Sequence, residues 1–314
     1  MSTKNIKFIN LIEFGLYRSL ALLNRILPRP CCLWTGRALG ALAFRLDRKH
    51  RKLALANLER ALGGETGRSD RLRIARASFL HFGRVTADIL KWAHLKASRR
   101  KALLQVEGEE HIRRALREGR GVLVFSAHFG NWEVAAQAIA QIGPLNVVAR
   151  PMDNPFLEAE LGRFRNLLGA RIISKFQAAK PILQALRRNE IVAILIDQNV
   201  QRREAVFVGF FGSAAATTPG LASFCLRARC PLIPVFCHPA PRSSYLVRIG
   251  PALLVEPGGD PEEDVLKITQ ASTKMIEAEI RREPGLWFWF HNRWKTRPET
   301  EVEPGSPAGR ETVR

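Results

Sequence analysis

A histidine followed five positions later by a carboxylate, His128 and Glu133 in the string HFGNWE, is the pair in this chain best suited to moving a proton. An imidazole titrates near neutrality, and a carboxylate that keeps one ring nitrogen protonated leaves the other free as a general base. On one continuous helix a five-residue step turns two side chains about 140° apart at 3.6 residues per turn, so the pair meets only if the chain turns between them. Phe129 and Gly130 can supply that turn and Asn131 is a favoured N-cap, which starts a helix near Trp132 with Glu133 in its first turn. The same helix start offers amide N–H groups to an oxyanion.

The element that carries His128 is read from a change of period at Gly121. After the turn signal REGRG, the run GVLVFSAH is apolar and too short for a buried helix, which makes it a buried strand with His128 at its carboxyl end. Open α/β sheets place their ligands at that end. Similar runs follow at 145–149 (LNVVA), 191–197 (IVAILID), 231–236 (PLIPVF) and 245–250 (YLVRIG). Between them WEVAAQAIAQI, PFLEAELGRFRNLLG, AAKPILQALRRN and PGLASFCLRA have helical periodicity. The alternation predicts an α/β fold, a central mostly parallel or mixed sheet flanked by helices. Residues 4–119 are helical in pattern with no strong strand, 256–264 form a polar loop before a helix over 265–283, and the last seventeen residues are expected to be a disordered tail. No internal repeat is present.

Charge suggests the setting. The formal net charge is +20, and residues 1–120 hold 26 Lys and Arg against 10 Asp and Glu. Such an excess calls for an anionic partner or surface, either nucleic acid or phospholipid headgroups. The same region carries the apolar runs IKFINLIEFGLYRSLALLNRILP and CCLWTGRALGALAFRL, a mixture that suits a bilayer interface better than a nucleic-acid-binding arm. Glu13, Arg18 and Arg25 interrupt the first run and Arg37 the second, so both are expected to lie on the membrane rather than span it. No clean signal-peptide core follows Lys4 and Lys7, which points to the cytoplasmic side. The resulting division is a membrane-associating helical region over 1–45, an α/β domain over 46–298 and a tail over 299–314. Five cysteines, including adjacent Cys31 and Cys32, have no metal-type spacing and suit reduced, mostly buried roles.

Several blocks in order resemble the lysophospholipid-type acyltransferases with the H-x4-D/E motif, and within them the late acyltransferases of lipid A biosynthesis. They are LDRKHRKLALANLERAL (46–62), VFSAHFGNWE, ARPMDNP (149–155), GRFRNLLG (162–169), ILIDQN (194–199), VFVGFFGSAAATTPG (206–220) and WFWFHNRWKTRP (287–298). The resemblance implies an acyl carrier protein thioester as donor, a hydroxyl of a lipid A precursor or related glycolipid as acceptor, and no metal or cofactor. A lysophospholipid, aminolipid or mannosylated lipid acceptor, or an acyl-CoA donor, are its alternatives. It makes His128 the base and Glu133 its partner, with Asn131, Arg165, Asp197 and, more weakly, Arg150 in substrate binding.

Physical chemistry adds roles to these positions. A planar guanidinium at Arg165 suits a phosphate on acceptor or donor. Asp197 ends an apolar strand and needs a partner when buried, for which an ion pair with Arg165 is one option. The block WFWFHNRWKTRP, taken alone, suits a nucleic-acid platform; at a bilayer its Trp rings and cations suit the headgroup level. His291 within it is expected to be packed rather than a second base.

Overall fold

The computed structural model describes residues 3–254 and 258–299; the expected tail beyond Glu299 and part of the polar loop lie outside the described residues. Four helices come first: α1 (Thr3–Ile26), α2 (Arg29–Leu46), α3 (Arg48–Leu62) and α4 (Arg68–Trp92). Pro28 and Pro30 set the break between α1 and α2, because proline fits the first turn of a new helix and cannot continue an old one. Asp47 accepts from the His50 amide and starts α3. Helices α2 and α4 cross where Gly36, Gly40 and Gly83 leave no room for a Cβ against the opposite backbone. That is the close approach small residues permit.

The chain continues through α5 (Ala97–Ala102), β1 (Leu104–Glu107), α6 (Glu109–Arg117), β2 (Val122–Ser126), α7 (Trp132–Ala140), β3 (Leu145–Ala149), α8 (Pro155–Leu167) and β4 (Ala170–Ser174). It ends with α9 (Ala179–Arg187), β5 (Ile191–Leu195), the hairpin β6 (Val206–Phe210) and β7 (Ser213–Thr217), α10 (Gly220–Ala228), β8 (Leu232–Ala240), β9 (Ser244–Ile249) and α11 (Pro261–Arg282). Seven strands form one sheet in the order β1-β9-β8-β2-β5-β3-β4, with β8 and β9 antiparallel and the other neighbours parallel. The fold is thus the expected α/β type with a mixed sheet. Strand β1 falls within residues 4–119, which read as helical with no strong strand: only four residues long and alternating in burial, it is an edge strand that lacks a continuous apolar run.

Central strand β2 is buried along its whole length. Its side chains alternate between two cores: Leu123 and Phe125 pack with α3, α4, α9 and α11, whereas Val122 and Val124 pack with α6, α7 and α8. Burial on both faces explains why this strand reads as an unbroken apolar run.

Candidate active site

Register assembles the centre. Parallel strands β2 and β5 pair Ser126 with Leu195, so two residues further on His128 and Asp197 leave the sheet side by side. The Asp197 carboxylate accepts from the His128 amide at 2.9 Å and faces His128 Nδ1 at 2.9 Å. The indole Nε1 of Trp287 donates to it at 2.8 Å. Burial alone would favour the acid form of Asp197, but the adjoining imidazole and these hydrogen bonds outweigh it and hold its carboxyl below the ordinary range. An ionised Asp197 can only accept, which puts the ring proton on His128 Nδ1 and leaves the Nε2 lone pair outward.

This corrects the sequence-based pairing. Asp197, and not Glu133, holds the imidazole, and Arg165 pairs with Glu133 rather than with Asp197. Arg165 Nη2 lies 2.5 Å from Glu133 Oε1, and its Nε reaches both carboxylate oxygens at 3.1 and 3.2 Å. Nothing in the sequence linked positions 69 residues apart; the strand register did.

The turn between His128 and Glu133 is pinned on every side. Gly130 has φ +58°, and a Cβ there would collide with the Cys237 carbonyl. Its amide donates to Leu286 O at 2.9 Å and its carbonyl accepts from His81 Nε2 at 3.1 Å. Asn131 caps α7 as expected, its Oδ1 accepting from the Val134 amide at 3.3 Å, while Nδ2 donates to Tyr245 Oη at 3.1 Å. The substrate-binding places given to Asn131 and Asp197 thus fall on side chains that are shut off from solvent and committed to protein partners. Arg150 stands exposed just beyond β3 and pairs with Asp153 at 2.8 Å, apart from these contacts.

The tryptophans of the block 287–297 are core, which corrects their reading as a headgroup-level belt. Trp287, Trp289 and Trp294 are 1%, 0% and 4% exposed. Their rings pack with Phe210 and Phe211. Arg293, fully buried, donates to Ala216 O and to the Gln198 carbonyl, and burial brings it down to about 10. His291 is packed, its Nε2 accepting from the Asn199 amide at 3.0 Å, and Thr296 exchanges hydrogen bonds with Asn199. The block therefore clamps the loop that carries Asp197. Composition alone does not separate buried tryptophans from interfacial ones.

Two further features went unnoticed in the sequence. Gln198 Nε2 lies 3.4 Å from His128 Nε2, on the lone-pair side of the ring, and Trp132 packs edge-on against the imidazole at 5.1 Å. Beside them an apolar slot of about 70 Å³ runs between α7 and the sheet, lined by Ala135, Ile139, Val147, Ala193 and Val235 among others, with Trp132, Glu133 and Arg165 also on its wall. It is assembled from segments far apart in sequence.

A histidine held by a buried carboxylate at the carboxyl ends of a sheet, next to a small apolar slot, is an arrangement that can move a proton. Residues 2–296 match the family described as bacterial lipid A biosynthesis acyltransferase, and the chain belongs to that family; it is an acyltransferase. It is similar to the lipid A biosynthesis palmitoleoyltransferase of Escherichia coli K12, 28% identical over 277 residues, 88% of each chain. To the lauroyltransferase of the same organism it is 28% identical over 278 residues, 87% of this chain and 88% of the relative. A phosphatidylinositol mannoside acyltransferase of Mycolicibacterium smegmatis is 26% identical over 226 residues, 70% of this chain and 72% of the relative.

Proposed function

We propose that the protein transfers a fatty acyl chain from an acyl carrier protein thioester to a hydroxyl of a lipid A precursor at the cytoplasmic face of the inner membrane. The observation that carries this reading is the His128–Asp197 pair with Nε2 turned outward beside the apolar slot. His128 Nε2 takes the proton of the acceptor hydroxyl as its oxygen attacks the thioester carbonyl carbon. The start of α7 offers amide N–H groups and the positive end of its dipole to the tetrahedral oxyanion. Collapse breaks the C–S bond, and the thiol leaves with the proton from the imidazolium, whose charge Asp197 steadies throughout. Glu133 fixes Arg165 beside the slot, where its guanidinium meets a phosphate of donor or acceptor.

Attachment is supported by the helical region. Large apolar side chains on α1 and α2, among them Phe8, Ile12, Leu16, Ile26, Trp34 and Leu46, face outward at 48–75% exposure. Arg18, Arg25, Arg37 and Arg45 are exposed among them. No described helix is long and apolar enough to cross a membrane, so the reading is a helix pair lying in the interface. The likeness to phosphatidylinositol mannoside acyltransferases supports a mannosylated lipid as a second acceptor class. The deciding experiment presents purified protein with acyl carrier protein and CoA thioesters against a lipid A precursor, a mannosylated lipid and lysophospholipids. Transfer to the lipid A precursor, lost in His128→Ala, is expected; near-normal turnover in that variant would overturn the base assignment.

A further inference from the structure

Behind the turn of the HFGNWE segment a line of buried polar groups leads away from the site into the N-terminal helices. Asn131, fully buried, donates through Nδ2 to Tyr245 Oη at 3.1 Å. Tyr245 in β9, 1% exposed, donates to Asp88 Oδ2 at 2.5 Å. Asp88 in α4, fully buried, is gripped by both arms of Arg29 at 2.7 and 2.7 Å. Arg29 opens α2, reaches Ser243 O at 2.6 Å with its remaining nitrogen, and lies over the rings of Trp92 and Tyr245.

Each link explains the next. A carboxylate with no exposure needs a charged partner, and a fork-to-carboxylate contact fixes both groups in orientation as well as charge. Tyr245 then has one acceptor for its proton, which fixes its oxygen as the acceptor for Asn131. Holding the Asn131 amide by its nitrogen leaves Oδ1 aimed at the Val134 amide, and that cap decides where α7 begins. His128 stands just ahead of this start and Glu133 in its first turn. The same face of α4 carries His81, which holds the Gly130 carbonyl, and Ser78, whose hydroxyl donates to Trp287 O at 2.6 Å.

We infer that Arg29, Asp88 and Tyr245 are positioning residues for acyl transfer, setting the start of the motif helix through Asn131, so that the head of α2 is part of the working site as well as of the membrane-facing region. The inference rests on the reading that His128 carries the transfer.

The test removes the membrane from the assay. Full-length enzyme in detergent micelles is given a medium-chain acyl carrier protein thioester and a lipid A precursor, while attachment is measured separately by sedimentation with phosphatidylglycerol-containing vesicles. Tyr245→Phe, which keeps the ring and deletes the hydroxyl, is expected to lower kcat about 10- to 100-fold, the scale of a misplaced reacting group, with donor KM within about twofold. Its vesicle binding stays at the wild-type level. Asn131→Ser, which keeps a capping oxygen but not the amide, gives a similar loss, and the double variant is no worse than either single one. Arg29→Ala lowers kcat in micelles, whereas Arg114→Ala, at an exposed position on α6, does not. Additive losses, or changes confined to KM or vesicle binding, would overturn the relay. Full turnover in Tyr245→Phe with none in His128→Ala would sink the relay and leave the His128 reading standing; turnover retained in His128→Ala would sink both.

Discussion

Buried His81 makes the site's support sensitive to acid by an amount that follows from its surroundings. Burial in the core, opposed only in part by the bond to the Gly130 carbonyl, lowers its imidazole from 6.5 to about 4, so in the folded protein it is neutral and donates through Nε2. The unfolded chain takes up this proton near pH 6.5 and the native state only near pH 4, so between those values the unfolded state binds more protons and stability falls as the pH is lowered. At 1.36 kcal/mol per unit, lowering the pH from 7.5 to 4.5 removes about 2.5 kcal/mol through this residue alone. The perturbation that isolates it is His81→Gln, which keeps an Nε2 donor for Gly130 and cannot take a proton. Urea unfolding of both proteins in the same mild detergent at the two pH values gives the difference of differences, in which every other titrating group cancels. The variant is expected to lose about 2 to 3 kcal/mol less than the parent on acidification. Equal losses would refute a neutral, buried imidazole beneath the turn.

Asp197→Asn keeps the shape of the support but not its charge, and kcat is expected to fall about 10²- to 10⁴-fold with donor KM little changed, measured by steady-state transfer. Trp287→Phe removes one donor from that buried carboxylate and is expected to cost about 1 to 3 kcal/mol of stability by urea titration, together with lower kcat. Ala193→Leu places bulk in the apolar slot and should shift preference toward shorter acyl chains in a competition among thioesters. Glu190, held down to about 2 chiefly by its hydrogen bond from Arg188, stabilises the fold above pH 4.5 and loses that contribution as pH falls toward 2. Glu190→Gln should therefore be less stable than the parent at pH 7, with a gap that closes in acid.

The sheet was legible because β2, β3, β5, β8 and β9 are apolar runs bounded by turn residues, and the helix after Asn131 because its cap and first turn are local chemistry. Strand β4 and the β6–β7 hairpin do not stand out in the sequence: ARIIS is less continuously apolar than LNVVA or IVAIL, and SAAAT has neither branched nor aromatic residues until its end. Within the site, His128 was visible from its place at a strand end. Its true carboxylate was visible too, as the polar residue ending IVAILID, but joining the two required knowing that β2 and β5 are neighbours in register. The Glu133–Arg165 pair and the Tyr245–Asp88 link failed for the same reason, since each joins elements whose adjacency is a property of the packed sheet.

The clamp formed by residues 287–297 has a consequence for the order in which a working enzyme comes into being. Synthesis runs from α1 onward, so the outward-facing apolar helices exist while the rest of the chain is still being made. A chain translated only as far as α11 already contains His128 and Asp197, yet has no Trp287 indole on the carboxylate and no Arg293, His291 or Thr296 on the loop behind it. A nascent polypeptide thus has its outward-facing apolar helices long before the carboxylate beside its histidine is held in place, and a ribosome stalled short of Trp287 would release a product whose apolar face is complete and whose site is not.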